Sequence, residues 1–101
     1  MTVRSTKSPV YLSIVQSWLE VLLNHVQPLQ YSLGGPIIAV QVENEYASYN
    51  RDPDYLPWVK NVLVKNGIIE LLYTSDGGNA YINPHADLLE GNGLYEFKYS
   101  A

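Results

Sequence analysis

Two carboxylates separated by a carboxamide, Glu43, Asn44 and Glu45, stand directly after the apolar run Ile37 to Val42. Asn44 offers both a donor and an acceptor, which suits a sugar hydroxyl. In an extended strand, residues two apart point the same way and lie about 6.5 to 7 Å apart, near the carboxylate separation of a glycosidase that inverts configuration. The two carboxylates of such a pair must flank the scissile bond from opposite faces, and neighbours on one strand approach from the same side. One of the two therefore has another task. Glu43, deeper in the strand, is expected to hold a hydrogen-bond or ionic network, because a buried carboxylate needs partners. Glu45 comes last, where a substrate oxygen can reach it, and is the better general acid. A general acid working near neutral pH needs a carboxyl kept protonated by apolar surroundings or a second carboxylate. On residue types alone, an exposed polar turn after a strand accounts for the triplet equally well.

The elements that would position this corner follow from the flanking patterns. Ile37 to Val42 reads as a strand buried on both faces, which belongs in a parallel sheet with helical crossovers. Ahead of it, Tyr11, Val15, Trp18, Leu22, Val26 and Leu29 recur at helical spacing, with Ser8 as a possible N-cap and Pro9 at the first position. Pro28 bends or ends that helix near Gln27, and Gly34, Gly35 and Pro36 stop it. Residues 1 to 8 are polar and without period, a mobile lead-in. After the triplet, Tyr46 to Asp52 reads as a loop. A second helix starts after Asp54, because that cap puts Pro57 at the third helical position, where no intrahelical bond is lost. Its inward residues are Tyr55, Trp58, Val59, Val62 and Leu63, and Gly67 is placed just past its end. Ile68 to Ser75 is a second buried strand with Glu70 near its entrance, followed by the turn Asp76-Gly77-Gly78. Residues 79 to 93 are mostly loop with a short helical hint at Ala86 to Glu90, and Leu94 to Tyr99 reads as a third strand.

Other residues carry weaker signals. His25 has no second His or Cys at metal spacing and is expected to be a solvated surface residue. Trp18, on the apolar stripe, is expected in the core and not beneath a sugar. Gly34-Gly35 precede a strand, and Asp76-Gly77-Gly78 lacks both G-x-G-x-x-G and a Walker lysine, so no phosphate-binding cofactor is expected. His85 has no Ser or Cys motif beside it, which leaves a nucleophilic triad without support. The nine tyrosines fall mostly on helix or strand faces.

The stretch Gly34 to Tyr49, with Asp54-Tyr55-Leu56 and Leu71-Leu72-Tyr73-Thr74-Ser75-Asp76-Gly77, resembles the catalytic domain of glycoside hydrolase family 35, the β-galactosidases, especially the animal β-galactosidase-like members. More loosely, the resemblance extends over nearly the whole chain. It implies an α/β fold, part of a (β/α)8 barrel, in which Asn44 and Glu45 end the fourth strand. Glu45 would be the general acid/base of a retaining mechanism, and Asn44 would contact the 2-hydroxyl of a galactoside. The nucleophile of that family is a Glu on the seventh strand, and none of Glu20, Glu43, Glu70, Glu90 or Glu96 sits at a matching motif. Ala47 departs from the family, which usually has Gly there, so the turn that aims Glu45 is expected to differ slightly.

Size bears on this directly. The chain has 101 residues, 47% hydrophobic and 16% charged, an ordinary folded-domain composition. A complete barrel takes ~250 residues, so the expectation is an incomplete barrel of about three parallel strands and two main helices, from the third helix to the sixth strand. Such a piece, alone, is expected to be inactive and to self-associate. A sugar-binding or protein-interaction role without hydrolysis is the alternative. The net charge of −4 and pI near 4.9, with six scattered Lys and Arg, argue against a nucleic-acid partner. With no cysteine, disulfides and thiolate metal sites are excluded, and no metal site is expected. No segment approaches the ~20 apolar residues of a membrane span, and the first seven residues lack the apolar core of a signal peptide. Only the resemblance speaks to compartment, and it implies a lysosomal or extracellular one.

Overall fold

The structure, a computed structural model, describes residues 2–50, 52–75 and 89–91. The expected third strand at Leu94 to Tyr99, the turn at Asp76-Gly77-Gly78 and His85 lie outside them. Helix α1 spans Pro9–Val26, strand β1 Ala39–Gln41, helix α2 Tyr46–Tyr49, helix α3 Tyr55–Lys65, strand β2 Leu71–Ser75 and strand β3 Leu89–Gly91. The three strands form one parallel sheet in the order β1-β2-β3, with Val40 opposite Leu72 and Thr74 opposite Glu90. Parallel pairing requires a crossover, and α2 with α3 supplies it between β1 and β2. The chain is thus α/β, as expected. β3 lies where the sequence pattern indicates loop and a helical hint ending at Glu90; pairing with β2 overrides that weak local preference.

Local chemistry sets the helix boundaries. Ser8 precedes α1, with Pro9 at the first position, and Ser8 holds the first turn through its carbonyl, which accepts from the Leu12 N–H at 3.1 Å, without a side-chain cap. Proline at position 28 cannot donate a helical hydrogen bond, so the chain tightens after Val26 into a 3-10 turn over Gln27–Leu29. A second such turn, Tyr31–Leu33, leads to Gly35, where an added Cβ would sit 2.0 Å from the Leu29 carbonyl oxygen. Only glycine allows that approach. For α3, Asp54 is the N-cap and Pro57 the third residue, as the proline argument requires. Its far end closes with Gly67 at φ 95°, the Gly67 N–H on Val64 O and the Ile68 N–H on Leu63 O, both at 3.1 Å. These two bonds are a Schellman closure, which satisfies carbonyls the helix leaves unpaired.

The core lies between α1, α3 and one face of the sheet. Leu23, Val42, Tyr46, Tyr55, Leu56, Val59, Leu63 and Ile68 are buried there, with Leu12, Leu19, Val26, Val40 and Leu72 packed against them. The inward face of α3 is as expected, apart from the addition of Leu56 and a half-buried Trp58. The inward face of α1 is as expected only in part: Tyr11 and Val26 of the stripe pack against the core, whereas Trp18, Leu22 and Leu29 are exposed. At 100° per residue, its buried row is rotated by roughly 60° from the Tyr11-Val15-Trp18 stripe, and Trp18 is 61% exposed. The helix carries a second apolar row, Val10, Ile14, Trp18 and Val21, that faces outward. Spacing alone does not say which of two apolar rows the rest of the fold will cover.

The strands need a similar correction. Val42 and Thr74 are buried on the helix side, but Ile38, Ile69 and Leu71 are all more than half exposed. Among the described residues, helices cover only one face of the sheet, so the expected burial on both faces is not reached.

Gln30 ties these elements together. It is fully buried, and its side-chain amide donates to Gln27 O at 2.9 Å and Gly67 O at 2.8 Å. Its Oε1 accepts from the N–H groups of Ile69, at 2.7 Å, and Glu70, at 3.2 Å. One side chain therefore joins the end of α1, the end of α3 and the approach to β2. Nearby, the Glu70 carboxylate accepts the Ser32 N–H at 2.7 Å, and the hydrogen bonds from Ser32 hold it below the ordinary carboxylate range.

Candidate functional site

β1 ends at Gln41, and the ladder runs one residue further through the Val42 N–H on Tyr73 O at 2.7 Å. There the extended backbone stops. Glu43 has φ 62° and Glu45 φ 51°, both in the left-handed region that residues with a Cβ seldom occupy. The two glutamates therefore do not have the spacing of an extended strand. Left-handed non-glycine residues cost on the order of 1–3 kcal/mol each and persist where the surroundings over-determine them. Here three elements do so. The Glu45 N–H donates to Ser75 O, at the carboxyl end of β2, at 2.7 Å. From β1, Gln41 Nε2 donates to Glu43 O at 2.8 Å and to Asn44 Oδ1 at 3.0 Å. From the segment before α1, Arg4 donates through Nε to Glu43 Oε2 at 2.5 Å and through Nη2 to Asn44 O at 2.8 Å.

The site thus sits at the carboxyl ends of parallel strands, where α/β folds place their chemistry. The side chains of Asn44 and Glu45 are exposed there, whereas Glu43 is half-buried in its ion pair with Arg4. Glu43 is held in an ionic pair with Arg4, and Glu45 is exposed. Tyr46 to Asp52, expected as loop, includes the single helical turn α2, for which the left-handed Glu45 is the N-cap. Ala47 lies within that turn, in a backbone conformation that alanine adopts without strain.

Residues 4 to 8 of the expected mobile lead-in make specific contacts. The Arg4 guanidinium lies 4.3 Å from the Tyr49 ring centroid and 5.4 Å from that of Tyr46. The Tyr46 hydroxyl donates to Arg4 O at 3.0 Å. Asp52 accepts the Thr6 N–H at 2.8 Å, the Thr6 hydroxyl at 2.6 Å and the Ser5 hydroxyl at 3.3 Å. Burial pushes the Asp52 carboxyl up, but these bonds and the Asp54 N–H outweigh it and hold the group below the ordinary carboxylate range. Polar residues without period can be ordered when other elements carry their partners. Beneath the site, the Tyr55 ring packs 4.6 Å from the Tyr46 ring centroid and its hydroxyl is 3.3 Å from that of Tyr11. Burial first, and the Tyr11 hydroxyl second, push the Tyr55 hydroxyl far above its ordinary value.

Arg4, Gln41, Asp52 and Ser75 thus shape a corner of which only Glu43, Asn44 and Glu45 are marked in the sequence. No motif could have shown the pairing of Arg4 with Glu43, since 39 residues separate them. His25 is exposed, as expected, and lines an open groove of about 750 Å³ with Glu20, Asn24, Lys65 and Asn66. That groove lies between the carboxyl ends of α1 and α3, which lead to the opposite end of the sheet from Asn44 and Glu45. Among the described residues there is no cluster of three or more His, Cys, Asp or Glu suited to a metal ion, and no helix long and apolar enough to cross a membrane.

The family described as glycosyl hydrolases family 35 matches residues 1–99. The human beta-galactosidase-1-like protein 2 is 58% identical over 66 residues, which cover 65% of this chain and 10% of that protein. Human beta-galactosidase-1-like protein 3 is 44% identical over 80 residues, covering 79% of the chain and 12% of the relative. The dog beta-galactosidase is 47% identical over 76 residues, covering 73% and 11%. The chain spans about a tenth of the length of the curated relatives it matches.

Proposed function

The chain belongs to the glycosyl hydrolases of family 35, and from that membership we propose that it forms the acid/base corner of a retaining β-galactosidase-like hydrolase. Its substrate is a terminal β-linked galactose in an O-glycoside, and its fold is part of a (β/α)8 barrel, from the third helix to the sixth strand. Glu45 is the general acid/base and Asn44 binds the sugar's 2-hydroxyl. The observation that carries this reading is the exposed Asn44-Glu45 pair at the carboxyl end of β1, with the Glu45 N–H anchored on Ser75 O.

In the first step Glu45 protonates the glycosidic oxygen as a carboxylate nucleophile attacks C1 from the other face, and the leaving group departs with the proton. The resulting Glu45 carboxylate then takes a proton from the water that attacks C1 of the covalent intermediate. Galactose leaves with its configuration retained. No glutamate of this chain sits at the family's nucleophile motif, so Glu45 alone can donate a proton but has no partner to form the glycosyl-enzyme bond. The compartment this reading implies is lysosomal or extracellular.

Two measurements on the isolated chain test this proposal. Purified chain incubated with a chromogenic β-galactoside is expected to show no turnover; turnover abolished by Glu45→Gln would mean that the chain supplies its own nucleophile. The chain is also expected to self-associate. Val10, Ile14, Trp18 and Val21 on α1, Ile69 just before β2 and Leu71 at its start are each more than half exposed, and apolar patches of this kind drive association. Light scattering with a urea titration decides this second point. A monodisperse monomer with one sharp transition would show a self-sufficient core and overturn the incomplete-barrel reading.

A further inference from the structure

We infer that Arg4 is the positioning residue of the acid/base corner: its guanidinium holds Glu43 and Asn44 in the backbone conformation that presents Glu45 to the substrate. This inference rests on the acid/base reading of Glu45. Arg4 and Gln41 together restrain Glu43 and Asn44, Ser75 restrains Glu45, and Glu43 and Glu45 are left-handed at φ 62° and φ 51°. Ser75 and Gln41 act from within the sheet, through backbone and a neutral amide. Arg4 alone brings a charge. Its planar fork satisfies two acceptors at once, the Glu43 carboxylate and the Asn44 carbonyl, while its face rests against Tyr49.

The support for Arg4 is itself built in. Arg4 has φ 52°, and its carbonyl accepts from the Tyr46 hydroxyl at 3.0 Å and the Asn50 amide at 3.5 Å. Both donors come from the segment just after Glu45. The segment before α1 and the turn after β1 are therefore joined on both sides of the general acid. Without Arg4, Glu43 would keep a half-buried charge with no partner among the described residues, and the left-handed backbone would lose its charged restraint. A carboxyl misplaced by an ångström can cost about 100-fold in rate, and that loss falls on the step in which Glu45 donates its proton.

The test uses the full-length protein carrying this segment and compares two β-galactosides, one with an alkyl or sugar leaving group and one with an activated aryl leaving group that departs without protonation. Arg4→Ala is expected to lower kcat/KM for the first by about ten- to 100-fold and for the second by a markedly smaller factor, because both substrates meet Asn44 but only the first needs the acid. Arg4→Lys keeps the charge without the fork and should recover part of the loss. In hydrogen exchange, Arg4→Ala should accelerate the Glu45 amide while the Ile68 amide, in the closure of α3, stays protected. Equal loss on both substrates, or no acceleration at Glu45, would overturn the role of Arg4. Glu45→Gln run in parallel separates the two ideas. If it spares the alkyl galactoside, the acid/base reading fails and exchange still decides the restraint; if it shows the leaving-group signature and Arg4→Ala does not, only Arg4 is wrongly assigned.

Discussion

Replacing Glu45 with Gln should lower hydrolysis of an unactivated β-galactoside by about 10²- to 10⁴-fold in the full-length protein, the contribution expected of a positioned general acid/base. Glutamine has the same shape, and the anchoring bond to Ser75 O uses the backbone N–H, so the corner should keep its geometry. What is lost is the proton. With an activated aryl galactoside the first step proceeds without it, and the covalent intermediate then accumulates because no base activates water. Azide needs no base. It should attack the intermediate, restore turnover and yield β-galactosyl azide, with configuration retained after two inversions. Absence of rescue would assign the acid/base to another residue, and Glu45 would return to being a polar turn residue.

The second large effect is expected far from the chemistry. Gln30→Ala removes a partner of two N–H groups, Ile69 and Glu70, and of the Gly67 carbonyl, and one of two donors to the Gln27 carbonyl, which keeps the backbone N–H of residue 30. A buried group left unsatisfied costs about 1–3 kcal/mol, so the loss should reach roughly 3 kcal/mol or more even if some of the four find water. That is a large share of the roughly 5–15 kcal/mol that holds an ordinary domain together. Gln30→Glu should be no better, because a carboxylate sets an acceptor against the Gln27 and Gly67 carbonyls. The urea midpoint of the full-length protein, with the slope unchanged, measures this. A loss under about 1 kcal/mol would mean that the amide is not the joint the geometry implies.

How these two sites become legible differs. Glu45 is read from the sequence because a polar residue at the end of an apolar run is a local pattern, and the family motif extends it. Gln30 gives no such sign, since glutamine is usually exposed and its four partners come from distant segments. Arg4 is hidden for the same reason: a single Arg in a polar stretch has many possible partners, and only the folded chain selects Glu43.

The sequence by itself determined the features whose causes act within a turn or two. The start of α3 after Asp54 follows from one missing proline N–H, its end at Gly67 from one residue free to adopt positive φ, and the succession α1, β1, α3 and β2 from periodicity. Tertiary structure decided what depends on which surfaces meet. α1 carries two apolar rows, and packing against α3 and the sheet chose Leu12, Leu19 and Leu23 over the row containing Trp18. β3 formed at Leu89–Gly91 because β2 offered it a parallel edge, against a local preference for loop or helix. The left-handed conformations of Glu43 and Glu45 are the clearest case. No intrinsic backbone preference favours them, and they hold because Arg4 and Ser75, both distant in sequence, converge with the neighbouring Gln41 on three consecutive residues.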